Sequence, residues 1–192
     1  MAVMNTAEAW PPTGRPFTVD DLDRMPEDGH RYELIDGVLI VSPAPATMHQ
    51  LVMFRLAREL DDASPDGLYV VPGPGMMVNI DTELIPDIVV VQQEDLRGRM
   101  LTGPPALAVE VQSPSTRLFD LNTKKEVYEK FGVPAYWIVV PDAGRPQLVA
   151  FELSGSRYEK TADVTGEEVF RARRPFPVEV VPARLVAGWP AD

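Results

Sequence analysis

A chain of 192 residues with 45% hydrophobic and 24% charged side chains can bury a core, and it is too apolar to be a disordered segment. Its net charge of −11, from 18 Lys and Arg against 29 Asp and Glu, argues against nonspecific attraction to a polyanion, so any nucleic-acid contact must rest on a local site. With no cysteine there is no disulfide frame, no thiolate metal site and no thiol nucleophile.

Residues 1–17 read as a loose N-terminal arm without the basic flank and apolar core of a secretory signal, and residues 18–192 read as one domain. No apolar run approaches the ~20 residues of a membrane span, so a cytoplasmic protein without membrane contact is expected. The Thr-x-x-Asp pattern at 18–21 predicts a short helix over 18–25. "RYELIDGVLIVSP" (31–43) predicts a hairpin, because Asp36-Gly37 suits a tight turn between two apolar runs. In residues 46–64, Met48, Leu51, Val52, Leu56 and Leu60 recur at helical spacing. Strands are predicted at 68–71, 76–80, 85–91 and 106–112. Residues 116–132 predict a second long helix, with Thr116 as cap and Gly132 as stop. Another buried strand follows at 135–140, then three segments at 147–153, 156–160 and 167–172 that alternate like an antiparallel meander. Residues 182–188 predict a last helical turn. The order implies an α/β (α+β) fold: a mixed central sheet flanked by helices, with "DIVVV" and "YWIVV" as central strands covered on both faces.

Three carboxylates interrupt strand-like runs: Glu33 in "YELI", Asp87 in "IPDIVVV" and Glu110 in "LAVEVQS". A carboxylate inside an apolar strand is costly to bury unless its charge is compensated. Asp87 and Glu110 fall on successive predicted strands, which allows both at one end of the sheet. Two close carboxylates repel unless a cation lies between them, and magnesium is usually held by one or two carboxylates plus waters. Lys124 follows on the next helix, from which it can reach back to the acids. The structural alternative is an exposed Asp120–Lys124 pair four residues apart. Lys125 points ~100° away and reads as solvated. Two carboxylates, a metal and a cation suit phosphodiester hydrolysis by metal-activated water.

These residues resemble the Uma2 family, within the PD-(D/E)xK nuclease superfamily. The resemblance is carried by "YELIDGVLIVSPAPATMHQ", "IPDIVVV", "LAVEVQSPST", "DLNTK" at 120–124 and "YEKFGVPAYWIVVPD", and it runs from about residue 18 to 188. It implies a restriction-endonuclease-like core. It also implies that Pro86-Asp87 supplies the "PD" and Glu110 the "(D/E)", both as metal ligands. Where the superfamily pattern has lysine, two residues after Glu110, this chain has Gln112. The resemblance then assigns the cationic role to Lys124 and leaves Gln112 to position water or substrate. Glu33 is similar to an additional N-terminal acid of the superfamily. His49 matches a family position, as a substrate contact or as a satisfied histidine at a helix start. Ser113, Thr116 and Tyr128 match as turn, cap and packing residues.

The implied function is a magnesium-dependent endonuclease acting on DNA, with RNA as the less favoured substrate and manganese as the alternative ion, assembled as a homodimer. Arg97, Arg99, Arg117, Lys124, Lys125 and the basic run at 171–174 are the candidate backbone contacts. A non-catalytic regulatory or interaction protein on the same fold is the main competitor, favoured by Gln112 and by the net charge. A hydrolase for a small phosphorylated molecule is the third reading. "PGPGMM" (72–77) lacks the lysine and helix of a phosphate-binding loop, and two histidines are too few for a zinc site.

Overall fold

The computed structural model describes residue 11, residues 14–113 and residues 120–189, leaving out the side chains of 120 and 121. The first ten residues of the expected arm, the cap Thr116 and the basic Arg117 lie outside the described residues. The chain divides into two compact units, one of Met1–Ala44 with Met77–Leu84, the other of Pro45–Met76 with Ile85–Asp192.

In the smaller unit, the expected N-terminal helix is a single turn, α1 (Val19–Leu22). Thr18 precedes it and donates to Asp21 Oδ2 from its backbone N–H (2.8 Å) and its hydroxyl (3.1 Å). The hairpin forms as expected: β1 (Arg31–Ile35) pairs antiparallel with β2 (Val38–Ser42), Ile35 opposite Val38. Asp36 and Gly37 both have positive φ (48° and 75°), which a two-residue turn matched to strand twist requires. Gly37 has a second reason to lack a side chain, since a Cβ there would collide with the Pro16 ring. β4 (Met76–Asn79) and β5 (Thr82–Leu84) complete the order β2-β1-β5-β4.

The larger unit is built on a six-stranded sheet, order β10-β9-β8-β7-β6-β3. Its strands are β3 (Leu68–Pro72), β6 (Ile88–Gln92), β7 (Leu107–Val111), β8 (Ala135–Val140), β9 (Gln147–Ser154) and β10 (Arg157–Thr165). Only β7 and β8 pair in parallel, so the sheet is mixed as expected. A parallel neighbour needs a crossover, and the chain between them carries a π-turn (Asp120–Lys124) running into α3 (Lys125–Phe131). Gly132 ends α3 at φ 87°, the left-handed stop read from the sequence.

The long amphipathic helix α2 (Thr47–Ala63) lays Val52, Leu56 and Leu60 on one face of this sheet, against Ile88, Val90, Leu107, Val109, Val111 and Trp137. On the other face Tyr136 meets Tyr128 of α3, Phe151 and Tyr158 at ring separations of 5.0–6.1 Å. Alternation along β7 therefore sends Val109 and Val111 into the α2 core and Glu110 to the α3 side.

Two expectations change. The strand expected at 85–91 begins only at Ile88, because proline lacks the N–H a ladder needs and Pro86 stands just ahead of it. Thr82–Leu84 forms a separate short strand. The three-strand meander is two long strands, β9 and β10; the third segment supplies β11 (Phe170–Ala172), which pairs instead with β12 (Val178–Val180) as its own two-stranded sheet. One helical turn, α4 (Pro182–Leu185), follows as expected.

Candidate active site

The β6–β7 register pairs Ile88 with Val109 and Val89 with Ala108, and Asp87, just ahead of β6, takes a hydrogen bond from the Val111 N–H at the end of β7. Both acids therefore lie at the same end of the sheet. Solvent reaches almost nothing of them: Asp87 is 1% exposed and Glu110 2%.

Each carboxylate has one oxygen taken by two donors. Asp87 Oδ2 accepts from the Val111 backbone N–H at 2.8 Å and faces His49 Nε2 at 3.1 Å. Its own carbonyl accepts from the Gly73 N–H, which ties the backbone down beside the strand. Glu110 Oε1 accepts from Lys124 Nζ at 3.1 Å and from the Tyr128 hydroxyl at 2.5 Å. Lys124 is itself 3% exposed. A Lys–Glu pair at that depth interacts through a medium far less screening than water, and the tyrosine adds a third polar group to the cluster.

Lys124 therefore reaches back to the strand, as expected, and the exposed Asp120–Lys124 pair is overturned by its burial. It closes a π-turn, a wider turn than the 3.6-residue spacing assumes and one that recurs at functional sites. Lys125 does not stand free in solvent either: its Nζ lies 4.4 Å from the centre of the Phe151 ring. Gln112 is buried at the end of β7, and its backbone N–H donates to the Val139 carbonyl. Glu33 belongs to the smaller unit, where it is buried on β1 opposite Ile40.

Two residues gain roles that sequence reasoning did not give them. Tyr128, expected only to pack, also donates to Glu110. The signal was available, since Lys124 and Tyr128 are four apart and thus share a face where the chain is helical. His49, at the start of α2, is the partner of Asp87 across 38 positions of sequence, and no local pattern announces that pairing.

Among the described residues no three His, Asp or Glu side chains gather as a ready-made metal cage. The donor set nevertheless fits magnesium, which keeps several waters and takes one or two carboxylates. Asp87 and Glu110 are the residues that would hold the ion. An open cleft of about 820 Å³ lies elsewhere, lined by Glu59, Arg171, Arg173 and Arg184 among others, and includes none of these groups. Convergent donors, not cleft size, single out the buried cluster.

Comparison with known proteins bears on the family and the fold. The model of the Uma2 family, described as "Putative restriction endonuclease", matches residues 19–185. The chain belongs to the Uma2 family. A solved structure of a DUF820 nuclease from Anabaena variabilis, described as putative, superposes on this Uma2 chain with a TM-score of 0.70. The two are 15% identical, over 89% of this chain and 98% of that one, a likeness that speaks to the fold. No curated protein matches. No helix among the described residues of the Uma2 chain is long and apolar enough to cross a membrane.

Proposed function

We propose that this Uma2 chain is a magnesium-dependent endonuclease that hydrolyses phosphodiester bonds in DNA, with RNA the second candidate substrate and manganese the alternative ion. One observation carries the reading: a buried ammonium, Lys124, is held against Glu110 on the strand whose Val111 N–H also bonds Asp87. Asp87 and Glu110 would hold the ion. Magnesium, when bound, supplies positive charge against the charge developing on the phosphate and makes a water more acidic. Lys124 orients Glu110 and adds positive charge to the site. Gln112 orients water or substrate by hydrogen bonding, and His49 closes the site on the α2 side. In the reaction the water oxygen bonds to phosphorus as a bridging P–O bond breaks, and the leaving oxygen takes up a proton. Because the chain carries a net charge of −11, we infer a twofold dimer that brings two sets of basic side chains to one duplex.

The test is incubation of duplex, single-stranded and branched DNA with the protein and magnesium, manganese or a chelator. Ion-dependent cleavage is expected, abolished in Glu110→Ala and Asp87→Asn variants whose circular dichroism is unchanged. Wild-type cleavage by either variant refutes the assignment.

The depth of the cluster favours a second reading. All four polar groups on the two held oxygens are protein groups, so the acids are compensated without any ion. A non-catalytic Uma2 protein that kept the cluster for stability would bind neither magnesium nor manganese at millimolar concentration, with or without nucleic acid.

A further inference from the structure

We propose that His49 is a positioning residue for Asp87: its Nε2–H clamps the carboxylate, and its other ring nitrogen is hydrogen-bonded to a buried water molecule. The proposal rests on the reading of Asp87 as an ion ligand and goes beyond it by assigning what holds that ligand in place.

His49 sits in the first turn of α2 and is 7% exposed. Its Nε2 lies 3.1 Å from Asp87 Oδ2. An ionised carboxylate can only accept, so the ring proton belongs on Nε2. The Val111 N–H reaches the same oxygen at 2.8 Å from β7. Two donors from separate elements fix the plane of the carboxyl group, and a fixed plane aims the other oxygen. This is how hydrogen-bond partners behind a ligand tune a metal site.

Nδ1 is buried and has no hydrogen-bond partner among the described residues. Buried polar atoms almost always have a partner, and where the protein provides none it is ordered water. The two ring nitrogens point in divergent directions. While Nε2 bonds Asp87, Nδ1 cannot share the ion that Asp87 would hold, so a water is the partner we assign to it. His30, the only other histidine, is exposed and bonded to Asp28, so the two rings are readily told apart.

The test uses the full chain labelled with nitrogen-15 in histidine, first without metal. Long-range proton–nitrogen spectra of wild type and His49→Gln assign the His49 ring by difference. The expected result is a proton on Nε2 and an Nδ1 shift that shows it in a hydrogen bond. A ring whose single proton sits on Nδ1, or an Nδ1 shift of a bare lone pair, overturns the proposal. Calorimetric titration with magnesium and manganese then reads the clamp. His49→Gln carries an amide N–H that can reach Asp87 and should stay within about threefold of wild-type affinity, whereas the shorter His49→Asn should lose about 10- to 100-fold. Equal losses in the two folded variants, or none in His49→Asn, overturn the clamp. A wild-type chain that binds no ion defeats the nuclease reading instead, and the metal-free spectrum still decides the Nε2 contact, so the two failures are distinguishable.

Discussion

Removing one side of the Glu110–Lys124 pair tests whether the cluster behaves as the geometry requires. At 3.1 Å and an effective dielectric constant near 20, the attraction between the two charges is on the order of 5 kcal/mol, and desolvating both ions offsets most of it. The intact pair therefore adds little net stability, but either charge left alone is costly. Lys124→Met leaves Glu110 with Tyr128 among its donors and should cost about 3 kcal/mol, the low end for breaking a buried pair. Glu110→Gln keeps an acceptor for both donors and should cost about 2 kcal/mol. The double variant holds neither charge, and its cost should fall to about 1–2 kcal/mol, giving a coupling of about 3 kcal/mol. Urea unfolding followed by tryptophan fluorescence is the assay, because one of the three tryptophans, Trp137, is buried on β8 opposite Val109, one position from Glu110. The comparison requires one transition with an unchanged slope in all four proteins. A coupling below about 0.5 kcal/mol would mean the charges do not depend on each other, and the account of the buried cluster would be wrong. All three variants should also be inactive on DNA, which separates the stability contribution of the pair from its chemistry.

Two further outcomes probe the neighbouring contact and the smaller unit. Tyr128→Phe deletes one donor to Glu110 while the ring remains packed on Tyr136; it should cost about 1–2 kcal/mol in the same urea assay, and an unchanged midpoint would remove the tyrosine from the cluster. In the smaller unit, the Arg15 guanidinium, assisted by the Thr18 N–H and hydroxyl and opposed by burial, holds the Asp21 carboxyl well below the usual carboxylate range. A folded-state value below the unfolded one means that this stabilisation is complete above the ordinary value of 3.8 and is lost as the pH falls towards the folded value. Asp21→Asn should therefore be less stable than wild type by roughly 2 kcal/mol at pH 7. The gap should narrow steadily below about pH 4, and a gap that widens in acid would reverse the assigned sign.

Local pattern determined much of this protein. The amphipathic run of α2, the Asp36-Gly37 hairpin, the apolar central strands and the Gly132 helix stop all depend on neighbours a few positions away, and each formed where expected. Asp87 and Glu110 were legible for the same reason: an acid in an otherwise apolar strand breaks a short-range pattern. Which groups answer those acids was settled only by the tertiary structure. The antiparallel β6–β7 pairing brings both acids to one end of the sheet, and the parallel β7–β8 crossover returns Lys124 and Tyr128 over Glu110. Sequence spacing did place Lys124 within reach, but it left open whether the amine turned inward or out to Asp120. His49 reaches Asp87 only because α2 packs on the sheet, and β11 leaves the expected meander because a partner strand lies beyond it. Periodicity states which face of a segment is buried. It carries no information on which distant segment covers that face, and the compensation of a buried charge is decided there.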